Sequence, residues 1–176
     1  AARVDVPADI SSAAFFLVAA AICPVSDLVL RHVGMNPTRI GVLHVLRAMG
    51  ADITESNPQL VGGEPVADLH VRGGRLKGIT IDPAWVPLAI DEFPALFIAA
   101  ACAEGVTELR GAEELRVKES DRIQVMADGL AAVGLPVTVL PDGMRIEGRG
   151  GEAHPFAGGT VEAHGDHRIA MSFTVA

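Results

Sequence analysis

Three apolar segments of this chain each open on an aspartate: Asp9-Ile10-Ser11-Ser12-Ala13-Ala14-Phe15-Phe16, Asp91-Glu92-Phe93-Pro94-Ala95-Leu96-Phe97-Ile98 and Asp166-His167-Arg168-Ile169-Ala170-Met171-Ser172-Phe173. In each, an alanine lies four residues after the aspartate and a large apolar residue seven after it. That spacing predicts a helix with the acid in its N-cap region. β-like runs follow the first two, at residues 27–30 and 106–109. Second helices are then expected over 38–50 and 121–134, each closed by a glycine suited to a C-cap. Strand-like pieces complete each unit, at 51–55, 68–72 and 76–81 in the first and at 137–140, 144–147 and 160–163 in the second. The pairs Gly62-Gly63, Gly73-Gly74, Gly150-Gly151 and Gly158-Gly159 read as turns, and none has the strand–glycine–helix context of a nucleotide-binding loop.

The first two acidic starts are 82 residues apart, Arg39 and Arg122 are 83 apart, and the third start follows after 75. A period this long means a repeated βα supersecondary unit rather than a solenoid of short repeats. The expectation is an α/β chain with repeats at approximately 1–82 and 83–163, and a partial third at 164–176. A third helix without its strand and second helix would lack burial partners, so a piece of a longer chain is expected.

Composition narrows the function classes. The 176 residues are 49% hydrophobic and 20% charged, enough for a sizeable core. A net charge of −8 argues against a general nucleic-acid binder. The longest apolar run, residues 13–23, is about half the ~20 residues a bilayer requires and lacks the basic flank of a signal peptide. A cytoplasmic protein is expected. Cys23 and Cys102 end alanine-rich runs, where a small buried hydrophobe fits better than a nucleophile or a disulfide. With no tyrosine, one tryptophan and six phenylalanines, aliphatic packing dominates.

The densest chemistry lies in Arg116-Val117-Lys118-Glu119-Ser120-Asp121-Arg122, three cations and two carboxylates around one apolar side chain. If the segment is helical, Lys118 and Arg122 repel at i,i+4 while Glu119 and Arg122 pair at i,i+3. The apolar residues that follow put the motif near a helix N-terminus, which favours a bound anion. A solvated charged face is the alternative, and composition does not separate the two. His164 and His167 flank Asp166, but a metal site needs a further placed ligand that the sequence does not supply.

These residues carry a family resemblance. The seven-residue segment is similar to the signature of the 5-enolpyruvylshikimate-3-phosphate synthases. So are Asp9-Ile10-Ser11-Ser12-Ala13, Met35-Asn36-Pro37-Thr38-Arg39, Ile90-Asp91-Glu92-Phe93-Pro94 and Gly165-Asp166-His167-Arg168-Ile169-Ala170-Met171, in the family's order and across the whole chain. The resemblance implies the enolpyruvate-transferase fold, an inside-out α/β barrel. That fold has two similar domains of three repeated βα units each, with helices inside, sheets outside and substrates between the domains. This chain resembles an incomplete C-terminal domain whose N-terminal partner is missing.

The implied reaction transfers the carboxyvinyl group of phosphoenolpyruvate to shikimate-3-phosphate, without cofactor or metal. The family's roles fall on Asp91 as catalytic proton acceptor and shikimate ligand, on Lys118 as a shikimate-3-phosphate ligand, and on Glu119 as a proton-transfer partner near phosphoenolpyruvate. They place Arg122 and Arg168 on phosphoenolpyruvate, with two guanidinium forks suited to a carboxylate and a phosphate. His167 is a substrate-proximal candidate, Glu92 a bystander, and Glu114 carries no role. From the residues alone Asp91 reads as a plain N-cap, a role compatible with catalysis if one oxygen caps. The alternatives are a UDP-N-acetylglucosamine carboxyvinyltransferase-like enzyme and a non-catalytic repeat scaffold.

Overall fold

Residues 4–152 and 154–176 are described by a computed structural model; residues 1–3 of the first expected repeat and residue 153 of the second lie outside it. Five helices and six strands follow in order: α1 Ile10–Ile22, β1 Asp27–Gly34, α2 Gly41–Ala48, β2 Asp52–Val61, β3 Glu64–Arg72, α3 Phe93–Ala101, β4 Glu104–Leu109, α4 Arg122–Ala132, β5 Thr138–Leu140, β6 Gly143–Arg149 and α5 His167–Val175. Short 3-10 turns occupy Pro83–Trp85, Ile90–Glu92 and Glu113–Val117. The strands form two antiparallel three-stranded sheets of matching order, β1-β3-β2 and β4-β6-β5.

The two sheets pack outside a helical centre. Helices α1, α3 and α5 touch one another, α1 backs onto β1 and β3, and α3 backs onto β6. All nine residues of α3 are buried, as is most of α1. A helix apolar on every side belongs in a core, and the alanines let its neighbours approach closely. No helix among the described residues is long and apolar enough to cross a membrane.

Local chemistry explains most boundaries. Asp9 caps α1 by accepting from the Ser12 N–H at 2.8 Å, and Asp166 caps α5 by accepting from Arg168 N–H at 2.9 Å. Gly50 and Gly134, at φ 92° and 87°, end the second helices as their positions predict. Both edge strands of the first sheet carry a bulge, at residues 31–32 and 57–58, and one side chain of the central strand ties both. Asp68 accepts from the His32 backbone N–H at 2.8 Å and from Asn57 Nδ2 at 2.9 Å. Beside the bulge, Ala8 bonds to the His32 carbonyl and the Gly34 N–H, which seats the chain just ahead of Asp9.

Two expected strands are absent as such, and one expected cap fails. Residues 76–81 make only isolated parallel bridges to β4, Lys77 to Glu104 and Thr80 to Glu108, so they stitch the first unit to the second sheet. Gly78 sits where a Cβ would lie 2.4 Å from the Val106 carbonyl oxygen, and the two backbones cross there too closely for a regular ladder. Residues 160–163 pair with no strand among the described residues. This stretch passes the end of α4, with Ala157 N–H bonded to the Val133 carbonyl and Val161 packed over Gly129. Asp91 lies in a 3-10 turn one residue too early to cap α3, whose N-cap position is Glu92 and has no side-chain cap bond. The Pro94 ring at the helix start removes one N–H that would need capping. Cys23 is exposed rather than buried. Cys102 is partly buried, and burial pushes its thiol up to about 11.

Replacing Gly78 with alanine drives a methyl group into the β4 backbone. A loss of about 1–3 kcal/mol is expected, read as a lower midpoint of urea unfolding.

Candidate active site

The charged segment is not one helix. Residues 113–117 form the 3-10 turn, Lys118 is extended with ψ −154°, and α4 begins only at Arg122, capped by Asp121 through the Gln124 N–H at 3.1 Å. Lys118 and Arg122 therefore do not share a helix face, and the expected i,i+4 repulsion does not arise. Arg116 turns away: it binds Asp121 at 2.7 Å and the carbonyls of Leu140 and Pro141, pinning the motif to the end of β5.

Arg122 is the centre. Its side chain is 1% exposed and is met by three carboxylates: Asp166 at Nε (2.8 Å), Asp91 at one terminal nitrogen (3.1 Å) and Glu119 at the other (2.6 Å). The i,i+3 pair read from the sequence is the last of these. Asp166 is fully buried and also accepts from the Ser120 hydroxyl at 3.0 Å, so it serves at once as helix cap and as partner of Arg122. Burial works against the charge on Arg122, but Asp166, Glu119 and Asp91 outweigh it and hold the proton more firmly than usual.

Asp91 stands among cations. The Lys118 ammonium lies 3.4 Å from its carboxylate, Arg122 lies 3.1 Å away, and Arg168 donates to its backbone carbonyl at 3.0 Å. Partial burial pushes the carboxyl up, but Arg168, Lys118 and Arg122 together hold it below the ordinary value, so it is ionised at neutral pH. Lys118 is shared with Glu114 at 2.6 Å, and that bond leads the effects that raise its pKa. Glu114 thus has a structural partner that the sequence did not reveal.

Asp91, Lys118, Glu119, Arg122 and Arg168 therefore converge on the starts of α3, α4 and α5. His167 lies beside them at the first position of α5 but is exposed, with no side-chain hydrogen bond among the described residues. No group of three metal-binding side chains occurs among the described residues.

Glu92, expected to stand apart from Asp91, has buried contacts of its own. It points away from Asp91 into the interior, is 5% exposed, and accepts a hydrogen bond from the Ser11 hydroxyl. Ser11 in turn accepts from Arg39 at 3.0 Å, and Arg39 pairs with Asp9 at 2.9 Å. A signal for this second cluster was present in the repeat. Arg39 and Arg122 occupy matching positions, and each reaches the first helix of its own unit and that of the next. Arg39 does so through Asp9 and, by way of Ser11, Glu92; Arg122 does so through Asp91 and Asp166.

Replacing Asp166 with alanine strips Arg122 of its buried partner and α5 of its cap. A loss of about 3–5 kcal/mol is expected in urea unfolding, against less than about 1 kcal/mol for Glu119→Gln, whose carboxylate is half exposed. Asp91 and Asp166 both titrate below the ordinary aspartate value in the fold. Their contribution is thus complete above about pH 3.9 and is lost as pH falls through the lower folded values, which unfolding midpoints at descending pH will show.

The chain is similar to known proteins along its whole length. The family model described as EPSP synthase (3-phosphoshikimate 1-carboxyvinyltransferase) matches residues 1–176. The 3-phosphoshikimate 1-carboxyvinyltransferase of Methylococcus capsulatus is 66% identical over all of this chain and 39% of its own length; that of Alkalilimnicola ehrlichii is 65% identical over 99% and 38%. A solved EPSP synthase from Acinetobacter baumannii superposes with a TM-score of 0.95 at 61% identity, covering 98% of this chain and 40% of that one. The chain spans about two-fifths of the length of the curated relatives it matches. With its two outer sheets, inner helices and clustered helix starts, it belongs to the EPSP synthase family.

Proposed function

We propose that this chain forms one wall of the site of a shikimate-3-phosphate carboxyvinyltransferase. The enzyme joins the 5-hydroxyl oxygen of shikimate-3-phosphate to C2 of phosphoenolpyruvate while a proton adds to C3. A proton then leaves the new methyl group and phosphate departs. The observation that carries the reading is the convergence of Asp91, Lys118, Glu119, Arg122 and Arg168 at three adjoining helix starts. Asp91 is the proton acceptor and shikimate ligand, Lys118 binds shikimate-3-phosphate, Arg122 and Arg168 bind phosphoenolpyruvate, and Glu119 transfers protons beside it. No cofactor or metal takes part, and the compartment is the cytoplasm.

Electrostatics supports the assignment of Asp91. Held below its ordinary value, the free carboxylate is a poor base. Substrate phosphate and carboxylate groups bound to Arg168 and Lys118 offset the charges that depress it, so its basicity rises when both substrates are in place. The same bookkeeping argues for a second domain. Around Arg122, the cations Lys118, Arg122 and Arg168 face five carboxylates, Asp91, Glu92, Glu114, Glu119 and Asp166. Two multiply charged anions need further cations, which the family's N-terminal domain supplies. The isolated chain is therefore expected to show no turnover.

Phosphate release by the full-length protein tests the reading. Phosphoenolpyruvate with shikimate-3-phosphate should support turnover and UDP-N-acetylglucosamine should not; the reverse result would sink the proposal. Asp91→Ala is expected to lower kcat by about 10²–10⁴-fold.

A further inference from the structure

Glu92 is buried without the partners a buried carboxylate usually has. One oxygen, Oε1, accepts the Ser11 hydroxyl and faces an Arg168 terminal nitrogen at 3.9 Å. The same Arg168 nitrogen donates to the Asp91 backbone carbonyl at 3.0 Å. Arg168 is 16% exposed, and its remaining N–H groups have no hydrogen-bond partner among the described residues. Lys118 is already shared between two carboxylates, and Arg122 among three. Arg168 is thus the cation of the cluster whose donors are least occupied, and among the described residues only the Asp91 carbonyl and Glu92 hold its head.

We propose that Glu92 is a positioning residue: anchored by Ser11, its carboxylate orients Arg168 for the anionic substrate. This rests on the reading of Arg168 as a phosphoenolpyruvate ligand. Burial pushes the Glu92 carboxyl up more than Ser11 and Arg168 pull it down, and Asp91 adds like-charge repulsion, so at neutral pH the charge opposes folding. A merely structural group would be better as glutamine. The chain from Asp9 through Arg39 and Ser11 to Glu92 also links the start of α1 to Arg168 on α5. Three helices thereby share one anion-facing guanidinium.

Steady-state kinetics of the full-length protein will test this with Glu92→Gln, Arg168→Gln and the double variant. Glu92→Gln should raise KM for phosphoenolpyruvate about 5- to 20-fold, leave KM for shikimate-3-phosphate within about 2-fold, and leave the thermal midpoint unchanged or higher. Because Glu92 acts through Arg168, it should add little in the Arg168→Gln background. Ser11→Ala, which keeps the charge but frees it, should shift the same KM in the same direction and decides the matter if Glu92→Gln does not fold. A normal phosphoenolpyruvate KM in both the Glu92 and Ser11 variants, with Arg168→Gln impaired, overturns the positioning role alone. A normal KM in Arg168→Gln overturns the underlying reading and this inference with it. Full additivity in the double variant overturns the coupling.

Discussion

A fully buried guanidinium cannot stand without its partners, and Arg122 draws them from three separate stretches of chain. Asp91 precedes α3, Glu119 precedes α4 and Asp166 precedes α5. Removing Asp166, the fully buried partner, leaves the Arg122 charge uncompensated in a low-dielectric interior, whereas the half-exposed Glu119 can be replaced at far smaller cost. The apolar contacts among the central helices supply most of the favourable burial, but hydrophobic packing is non-directional. The Arg122 cluster adds direction, because it is satisfied only when the starts of these helices lie at one level. The same alignment brings Lys118 and Arg168 beside Asp91.

The two repeat-related arginines show how the same position can be tuned. Arg39 is exposed and pairs with an exposed aspartate, an arrangement that contributes little beyond local order. Arg122 has three partners, one of them fully buried. The difference lies in neighbours rather than in the arginines: Asp9 divides its carboxylate between capping α1 and pairing with Arg39, whereas Asp91 has slipped out of the cap position and its carboxylate meets Lys118 and Arg122.

Periodicity located the helices and the acidic starts well, because apolar spacing and capping chemistry are local. The glycines at 50 and 134 marked helix ends for the same reason. Residues 76–81 and 160–163 have strand-like composition but form no strand of their own, since a ladder requires a neighbouring edge and sequence does not say whether one is free. The motif at 116–122 signalled dense charge, yet its extended Lys118 and three-way Arg122 depend on Asp91 and Asp166, 31 and 44 residues from Arg122. Adjacency to Asp91 conveys that Glu92 diverges from it without saying that Ser11 lies on the other side. The family resemblance singled out residues that lie together in the fold; the reason for Asp166's burial and for Ser11's place beside Glu92 became visible only in three dimensions.

Helix α3 has a consequence of its own. It is buried on every side and carries no polar stripe, so packing alone gives it little preference for one rotation about its axis over another. Asp91 and Glu92 supply the missing reference mark. Successive residues of a 3-10 turn diverge by about 120°, so one carboxylate reaches toward α4 and the other toward α1, and both meet their partners at a single angular setting. The adjoining acids thus work as an index pin for an otherwise featureless rod. Lengthening the turn before α3 by one residue would rotate the helix past that setting and misalign both walls at once.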